Sequence, residues 1–167
     1  MKHLAKIVSR EKVSEVLRAS RAGKVVGLAG GVFDLIHVGH VRYLAEAKSF
    51  CDILIVAVNS DISVKKFKSS DRPVLGEKLR LELVASVMYV DYCFLFDEPN
   101  QFENLRLIKP DVFLKGGDYS FQELVKIDNL NLLDKMPEVK IISLVEGIST
   151  SSVIQHIRSN SDKPINV

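Results

Sequence analysis

The sequence has few of the residues that build disulfide frameworks, zinc sites or membrane spans. Its 167 residues include two cysteines and no tryptophan. Cys51 and Cys93 lie in apolar, strand-like segments without a CxxC spacing or a Cys/His cluster, so we expect both to be buried, reduced and structural. No run approaches the roughly 20 apolar residues of a transmembrane helix, and the N-terminus lacks the apolar stretch of a signal peptide. We therefore predict a cytoplasmic protein with no membrane partner.

An excess of charge of one sign is also missing. The formal net charge of +2 is too small to indicate a nucleic-acid surface, so we predict no nucleic-acid partner, whereas small anions remain candidate ligands. Hydrophobic residues at 47% and charged residues at 26% are typical of a globular protein. A chain of 167 residues has room for one catalytic core. We expect a single domain over residues 1–158 and a polar tail over residues 159–167.

Apolar runs rich in β-branched residues alternate with segments of helical periodicity. Ser9 is expected to cap a first helix that ends at Gly23, so residues 1–23 would pack on the domain as a helical segment. Alternating βα units predict an α/β fold, a Rossmann-like doubly wound parallel sheet with helices on both faces. Ligands of such sheets bind beyond the carboxyl ends of the strands. The predicted strands are 25–29, 53–58, 92–96, 111–115 and 139–145, and the later helices are 40–50, 77–89, 101–108, 120–128 and 150–158.

The strongest functional pattern directly follows the first predicted strand. Residues 30–40 read GGVFDLIHVGH, which predicts a tight turn that leads into a helix. Both histidines, His37 and His40, then lie at the helix N-terminus. Unpaired backbone N–H groups and the positive end of the helix dipole favour phosphate there, and the two imidazoles add further N–H donors. The pattern predicts a phosphate-binding site.

The segment G-x-F-D-x-x-H-x-G-H resembles the signature of the cytidylyltransferase-type nucleotidyltransferases. These enzymes join a nucleoside triphosphate to a phosphorylated acceptor and release pyrophosphate. The resemblance implies that His37 and His40 are catalytic and that the protein is a homodimer. It also implies nucleotide contacts at both histidines and at Gly31, Val32, Phe33, Asp34 and Gly39.

A basic loop follows the second predicted strand. Three lysines and an arginine within residues 65–72 can close over phosphates, although a solvated basic loop would have the same composition. Asp61 is placed to orient a basic side chain. Resemblance to the sugar-phosphate members of the superfamily implies that Lys68 is the third catalytic residue. Arg80 is a second phosphate candidate or a surface helix residue. The predicted acceptor-phosphate or substrate contacts are Asn59, Asp61, Lys66, Lys68, Arg80 and Tyr119.

Two later turns complete the predicted site. Residues 115–119 read KGGDY, and this turn resembles that of the heptose-1-phosphate adenylyltransferases, which implies that Gly117 and Asp118 contact the nucleotide. Residues 146–152 read EGISTSS, whose hydroxyls can cap the last helix. They resemble the second signature of the superfamily, which holds the β- and γ-phosphates. The implied contacts are Gly147, Ile148, Ser149, Thr150 and Ser151.

The resemblance to the heptose-1-phosphate adenylyltransferases extends over residues 24–158. It implies transfer of AMP from ATP to a sugar 1-phosphate, with D-glycero-β-D-manno-heptose 1-phosphate as the expected acceptor. The implied cofactor is Mg²⁺ bound with ATP, bridging triphosphate oxygens with few direct protein ligands, so we predict no protein metal site, although Asp34 is a candidate contact.

Two departures from the heptose pattern leave alternatives open. They are Leu28-Ala29-Gly30 before the first signature and Glu123-Leu124-Val125-Lys126-Ile127 after the KGGDY turn. One alternative is a glycerol- or polyol-phosphate cytidylyltransferase that uses CTP. The other is a non-catalytic nucleotide-binding module.

Overall fold

A computed structural model describes residues 2–69, 71–159 and 164–165. Five strands form one parallel sheet in the order β3-β2-β1-β4-β5. They are β1 Val26–Gly31, β2 Ile53–Asn59, β3 Tyr92–Phe96, β4 Val112–Gly116 and β5 Glu138–Ile142. The α-helices are α1 Arg10–Ser20, α2 Val38–Ser49, α3 Asp61–Lys65, α4 Glu77–Ser86, α5 Phe102–Ile108, α6 Phe121–Ile127 and α7 Thr150–Arg158. Short 3-10 helices span Lys2–Lys6 and Leu130–Leu132.

Helices cover both faces of the sheet because the side chains of its strands are apolar on both faces. In β2, Leu54, Val56 and Val58 pack in one cluster with residues of α2 and α4. The alternating residues Ile53 and Ile55 pack in a second cluster with residues of α1, α5 and α6. Successive strand side chains point to opposite faces, so a strand buried on both sides is apolar throughout. The predicted Rossmann-like doubly wound α/β fold is confirmed.

The strand order places a switch point between β1 and β4. The chain runs outward from β1 to β2 and β3, and then returns to place β4 on the other side of β1. Connections that leave two neighbouring strands in opposite directions open a crevice beyond their carboxyl ends. The residues that follow β1 and β4 are therefore those placed to bind a ligand.

Several predicted boundaries differ from the structure. The last strand ends at Ile142 rather than at 145, and the helix that begins at Glu77 ends at Ser86 rather than at 89. The first helix ends at Ser20, whereas Gly23, with φ 69°, lies in the following turn. The short helix α3 was not predicted; the Ser60 side chain caps it by accepting from the Ser63 N–H.

The expectation for the cysteines was half right. Cys93 is buried in β3, but Cys51 is only partly buried and lies in the turn between α2 and β2. Both are free thiols. Of the expected polar tail, residues 160–163 and 166–167 lie outside the described part of the chain. Across the ranges that the structure describes, no helix combines the length and apolarity needed to cross a bilayer.

Candidate active site

A cleft with a volume of ≈ 380 Å³ lies at the switch point between β1 and β4. Two helices direct their N-termini to it: α2, which follows β1, and α7, which follows β5. Most of the residues of the two signatures line it. They are Gly31, Val32, Phe33, Asp34, His37, Gly39, His40, Ile148, Ser149, Thr150 and Ser151, with Lys68 from the basic loop.

The two histidines stand together at the start of α2. His37 is the N-cap residue, and its ring centroid lies 3.9 Å from that of His40. The backbone N–H of His37 donates to His40 Nδ1 at 3.3 Å. Because Nδ1 accepts this bond, the proton of the neutral His40 ring is on Nε2. His40 is thereby oriented as an Nε2–H donor.

Burial favours the neutral form of both imidazoles. Burial lowers the pKa of His40 to about 4; the adjacent His37 lowers it further, and the carboxylate of Asp34 opposes the shift. Burial also lowers the pKa of His37. A neutral imidazole can donate to a phosphate oxygen from one nitrogen and accept at the other, without the desolvation cost of a buried cation.

His37 carries an unsatisfied polar atom. Its Nδ1 is buried and has no hydrogen-bond partner among the described residues. Gly39 lies against the same ring: a Cβ there would come within 3.0 Å of both His37 Cε1 and Nδ1. An unpaired buried polar atom costs about 1–3 kcal/mol, so a ligand that supplied the partner would recover that free energy.

The second signature is bonded to the first. Thr150 Oγ1 donates to the backbone carbonyl oxygen of Asp34 at 2.7 Å. Ser149 caps α7 by accepting from the Ser152 N–H at 3.0 Å, and its own N–H donates to Ser152 Oγ at 2.8 Å. These bonds hold the N-terminus of α7 beside the loop that leads into α2.

The Asp34 carboxylate supports a loop instead of facing a ligand. Its side chain is 0% exposed and accepts from Arg72 Nε at 2.8 Å and from the N–H groups of Val74 and Leu75 at 2.9 and 3.0 Å. Burial alone would raise its pKa, but the hydrogen bonds from Leu75 and Val74 and the Arg72 guanidinium outweigh it, so the pKa lies below its ordinary value. Three hydrogen bonds therefore tie the carboxylate to residues 72–75.

Of the residues predicted to contact the acceptor substrate, some line the cleft and others are bonded elsewhere in the protein. Lys68 lines the cleft, with Ser69 and Arg72 of the same loop. Lys66 instead donates to the Asp97 carbonyl oxygen at 3.1 Å. Buried Asn59 donates to Ser63 Oγ at 3.0 Å.

Arg80 is neither a surface residue nor part of the cleft lining. Its side chain is 0% exposed. It donates to Asp61 Oδ1 at 2.8 Å and to the Val32 carbonyl oxygen at 2.5 Å. Asp61 thus orients a basic side chain, as expected, but that side chain is Arg80 and not a lysine of the loop. Through the bond to Val32, the Arg80–Asp61 pair stabilises the backbone of the first signature.

The KGGDY turn lies at the edge of the cleft. Gly116 lines the cleft and packs against the Tyr43 ring, whereas Gly117, Asp118 and Tyr119 lie outside the lining. Gly117 adopts φ 135° with the Tyr119 ring against it. Gly147, with φ 81°, also lies outside the lining.

Sequence reasoning missed part of the cleft wall. Residues 143–145 line it, although their apolar character led us to extend β5 over them. The other missed lining residues are Gly30, Tyr43, Ser69, Arg72 and Gly116.

Within the described residues, no group of three or more His, Cys, Asp and Glu side chains could hold a metal ion. A Mg²⁺ that accompanies a nucleotide would be ligated there by phosphate oxygens and water, as is usual for this ion.

Comparison with known proteins identifies the family. The family model described as Cytidylyltransferase-like matches residues 28–156. The chain belongs to the cytidylyltransferase-like family. This confirms the resemblance seen in the sequence and makes the protein a nucleotidyltransferase by family.

Curated relatives include the "Bifunctional protein HldE" of a Nitratiruptor species, which is 42% identical over 83% of this chain and 29% of its own length. The protein of the same name from Campylobacter curvus is 39% identical over 95% of this chain and 32% of its own. The chain thus spans about a third of the length of these relatives.

Two solved structures share the fold of this family member. The lipopolysaccharide core biosynthesis protein from Thermoplasma volcanium aligns with a TM-score of 0.60 and 31% identity, over 74% of this chain and 98% of that one. The pantoate-beta-alanine ligase from Francisella tularensis aligns with a TM-score of 0.61 over 90% of this chain and 72% of that one. At 15% identity, the second likeness shows the fold alone.

Proposed function

We propose that the protein transfers AMP from ATP to a sugar 1-phosphate, with D-glycero-β-D-manno-heptose 1-phosphate as the acceptor, and releases pyrophosphate. The observation that carries the proposal is the neutral His37–His40 pair at the N-terminus of α2, in one cleft with the N-terminus of α7. The similarity to the bifunctional HldE proteins and the KGGDY turn support the choice of acceptor and base.

The reaction is an in-line displacement at the α-phosphorus of ATP. An oxygen of the acceptor phosphate forms the new P–O bond while the bond to the β-phosphate bridging oxygen breaks. A phosphate monoester has a second pKa of about 6, so the attacking oxygen is already ionised at pH 7 and no general base is needed. Catalysis then depends on positioning and on stabilising the charge that develops on the leaving pyrophosphate.

The residues of the cleft divide this work between them. His40 donates through Nε2–H to an oxygen bridging or flanking the α- and β-phosphates, while His37 meets a neighbouring oxygen. The N-terminus of α7, with Ser151 exposed beside it, binds the β- and γ-phosphates. Lys68 adds a positive charge from the loop, and a Mg²⁺ bound with ATP would neutralise phosphate charge.

Pyrophosphate release tests the proposal. The purified chain is supplied with Mg²⁺ and either ATP or CTP, each with D-glycero-β-D-manno-heptose 1-phosphate or glycerol 3-phosphate. We expect turnover with ATP and the heptose phosphate only. A Lys68→Met variant should lower turnover, and Lys135→Met, which removes an exposed lysine elsewhere, serves as its matched control.

The remaining outcomes separate the alternatives. Turnover with CTP and glycerol 3-phosphate would contradict the adenylyltransferase assignment and support a polyol-phosphate cytidylyltransferase. Nucleotide binding without turnover, across a broad panel of acceptor phosphates, would contradict catalysis and support a nucleotide-binding module.

A further inference from the structure

A buried polar cluster lies at the same edge of the sheet as the cleft, but on the opposite face. Its centre is Asp128, which is 0% exposed and follows α6. Asp128 Oδ1 accepts from the backbone N–H of Gln101 at 2.8 Å, and its Oδ2 accepts from Lys115 Nζ at 3.1 Å. One buried carboxylate thus holds residues from β4 and from the start of α5.

Stability alone does not explain this ion pair. Moving a carboxylate and an ammonium out of water costs several kcal/mol for each ion, and their attraction repays it only where the geometry is favourable. An apolar pair of similar volume could fill the same space, since the cluster borders Phe113 and other apolar residues of the second core. The charged pair instead has the effect of fixing the position of the Lys115 ammonium.

Lys115 keeps unused donors at the sheet edge. Its ammonium has three N–H donors, and Asp128 is its one acceptor within the described ranges. The side chain is 19% exposed, and Nζ lies 5.6 Å from the centroid of the Tyr119 ring, which is itself exposed. A charged donor and a flat aromatic wall therefore stand side by side just outside the cleft.

Gln101 lies directly behind the floor of the cleft. A Cβ at Gly30, which lines the cleft, would overlap Gln101 Nε2. Gln101 Oε1 accepts from Asn104 Nδ2 at 2.9 Å, which orients the amide so that Nε2 faces the carboxyl end of β1. The buried Gln101 side chain therefore supports the floor of the cleft from the opposite face of the sheet.

The geometry of an in-line displacement indicates what the free N–H donors of Lys115 bind. The pyrophosphate leaves toward the N-termini of α2 and α7, so the acceptor must approach the α-phosphorus from the opposite side. We propose that Lys115 binds hydroxyl oxygens of the polyhydroxylated acceptor, against the Tyr119 ring, and that Asp128 is the positioning residue for its ammonium. This subsite rests on the proposed function and specifies where the sugar of the acceptor lies.

The experiment compares KM for the acceptor with KM for ATP. Lys115→Met alone leaves Asp128 as an unpaired buried charge, so the double variant Lys115→Met/Asp128→Asn is measured beside it to keep the cluster neutral. The matched control is Lys126→Met, which removes an exposed lysine of α6. Thermal melting verifies that each variant folds.

We expect both Lys115 variants to raise the acceptor KM about 10- to 100-fold, the usual effect of losing a hydrogen bond from a charged group. KM for ATP should be unchanged, and the Lys126→Met control should match the parent protein. A folded double variant with an unchanged acceptor KM would overturn the subsite while leaving the proposed function intact. A parent protein without turnover on any acceptor would overturn the proposed function, and the subsite with it.

Discussion

The N-termini of α2 and α7 meet at one cleft but are built differently. At α7, Ser149 and Ser152 satisfy each other's backbone N–H groups, and Thr150 is bonded to the Asp34 carbonyl oxygen. At α2, the cap is an imidazole pair, and His37 Nδ1 is buried without a partner in the described structure. The cap of α7 is complete by itself, whereas the cap of α2 leaves His37 Nδ1 without a hydrogen bond among the described residues.

This difference indicates a division of roles. A helix terminus whose cap is already formed can dock a phosphate on its remaining N–H groups without rearranging, and so contributes mostly to binding. A buried group without a partner forms its strongest hydrogen bond when charge develops beside it. Such a bond stabilises the transition state more than the bound substrate. We therefore expect substitutions at α2 to lower the turnover number and substitutions at α7 to weaken nucleotide binding.

His40→Ala should have the largest effect. It removes the oriented Nε2–H donor, and we expect kcat to fall about 100- to 1,000-fold or more, as when a key transition-state donor is lost. Because the ring lines the cleft and lies outside the two apolar cores, the thermal melt should stay close to that of the parent. The matched control is His156→Ala in the last turn of α7. A near-normal kcat in folded His40→Ala would contradict the role of this pair.

Asp34→Asn weakens the hydrogen bonds that hold the basic loop against the turn before α2. Asp34 Oδ2 accepts from both Arg72 and Val74, and an amide nitrogen placed there would face these donors. Removing one partner of a buried ion pair costs about 3–5 kcal/mol, so the free energy of unfolding in urea should fall by about that amount. Asp134→Asn, in an exposed loop, is the control and should unfold like the parent. An unchanged free energy of unfolding in Asp34→Asn would show that the carboxylate is not the support of this loop.

The contribution of the Asp34 carboxylate to the free energy of unfolding has a predicted pH dependence. The pKa of Asp34 is lowered on folding, so its contribution to stability is fully present above the unfolded pKa of about 3.9. That contribution is lost as the pH falls through the lower pKa of the folded state. The difference in unfolding free energy between the parent and Asp34→Asn should be constant near neutrality and shrink only below about pH 4. A difference that already shrinks at pH 6 would assign the effect to another group.

The smallest effects are expected at α7, where two neighbouring hydroxyls can be separated. Thr150→Val removes the bond to the Asp34 carbonyl oxygen and should lower the free energy of unfolding by about 1 kcal/mol. Ser151→Ala removes an exposed hydroxyl of the cleft and should raise KM for ATP without a change in stability. Urea titrations and initial rates on both variants measure the two effects. If both variants changed only stability, the binding role assigned to this end of α7 would be wrong.

Much of the fold could be predicted because it follows from local pattern. The runs that became β1, β2 and β3 are apolar throughout, and this pattern identifies a strand buried on both faces before any partner is known. The predicted boundaries were wrong where an apolar pattern continues past the end of a strand or helix. Residues 143–145 are as apolar as β5, yet they leave the sheet and form a wall of the cleft.

In the candidate site too, features that depend on local sequence could be predicted, and features that depend on distant partners could not. The glycines and histidines after β1 act through the backbone of one turn, so their spacing alone indicated a phosphate site at a helix N-terminus. Asp34 and Arg80 were both candidates for ligand contacts, and the structure pairs their buried side chains with Arg72 and Asp61. A carboxylate or a guanidinium looks the same in a sequence whether its partner is a substrate or a residue far along the chain.

The sequence by itself determined the class of fold, the family and the two motifs that line the cleft, because these depend on periodicity and on short, contiguous patterns. Only the tertiary structure decided the protonation and orientation of His40, the bond from Thr150 to the Asp34 carbonyl oxygen and the cluster around Asp128. Burial and long-range hydrogen bonding set those properties, and neither exists until the strands have paired and the helices have packed.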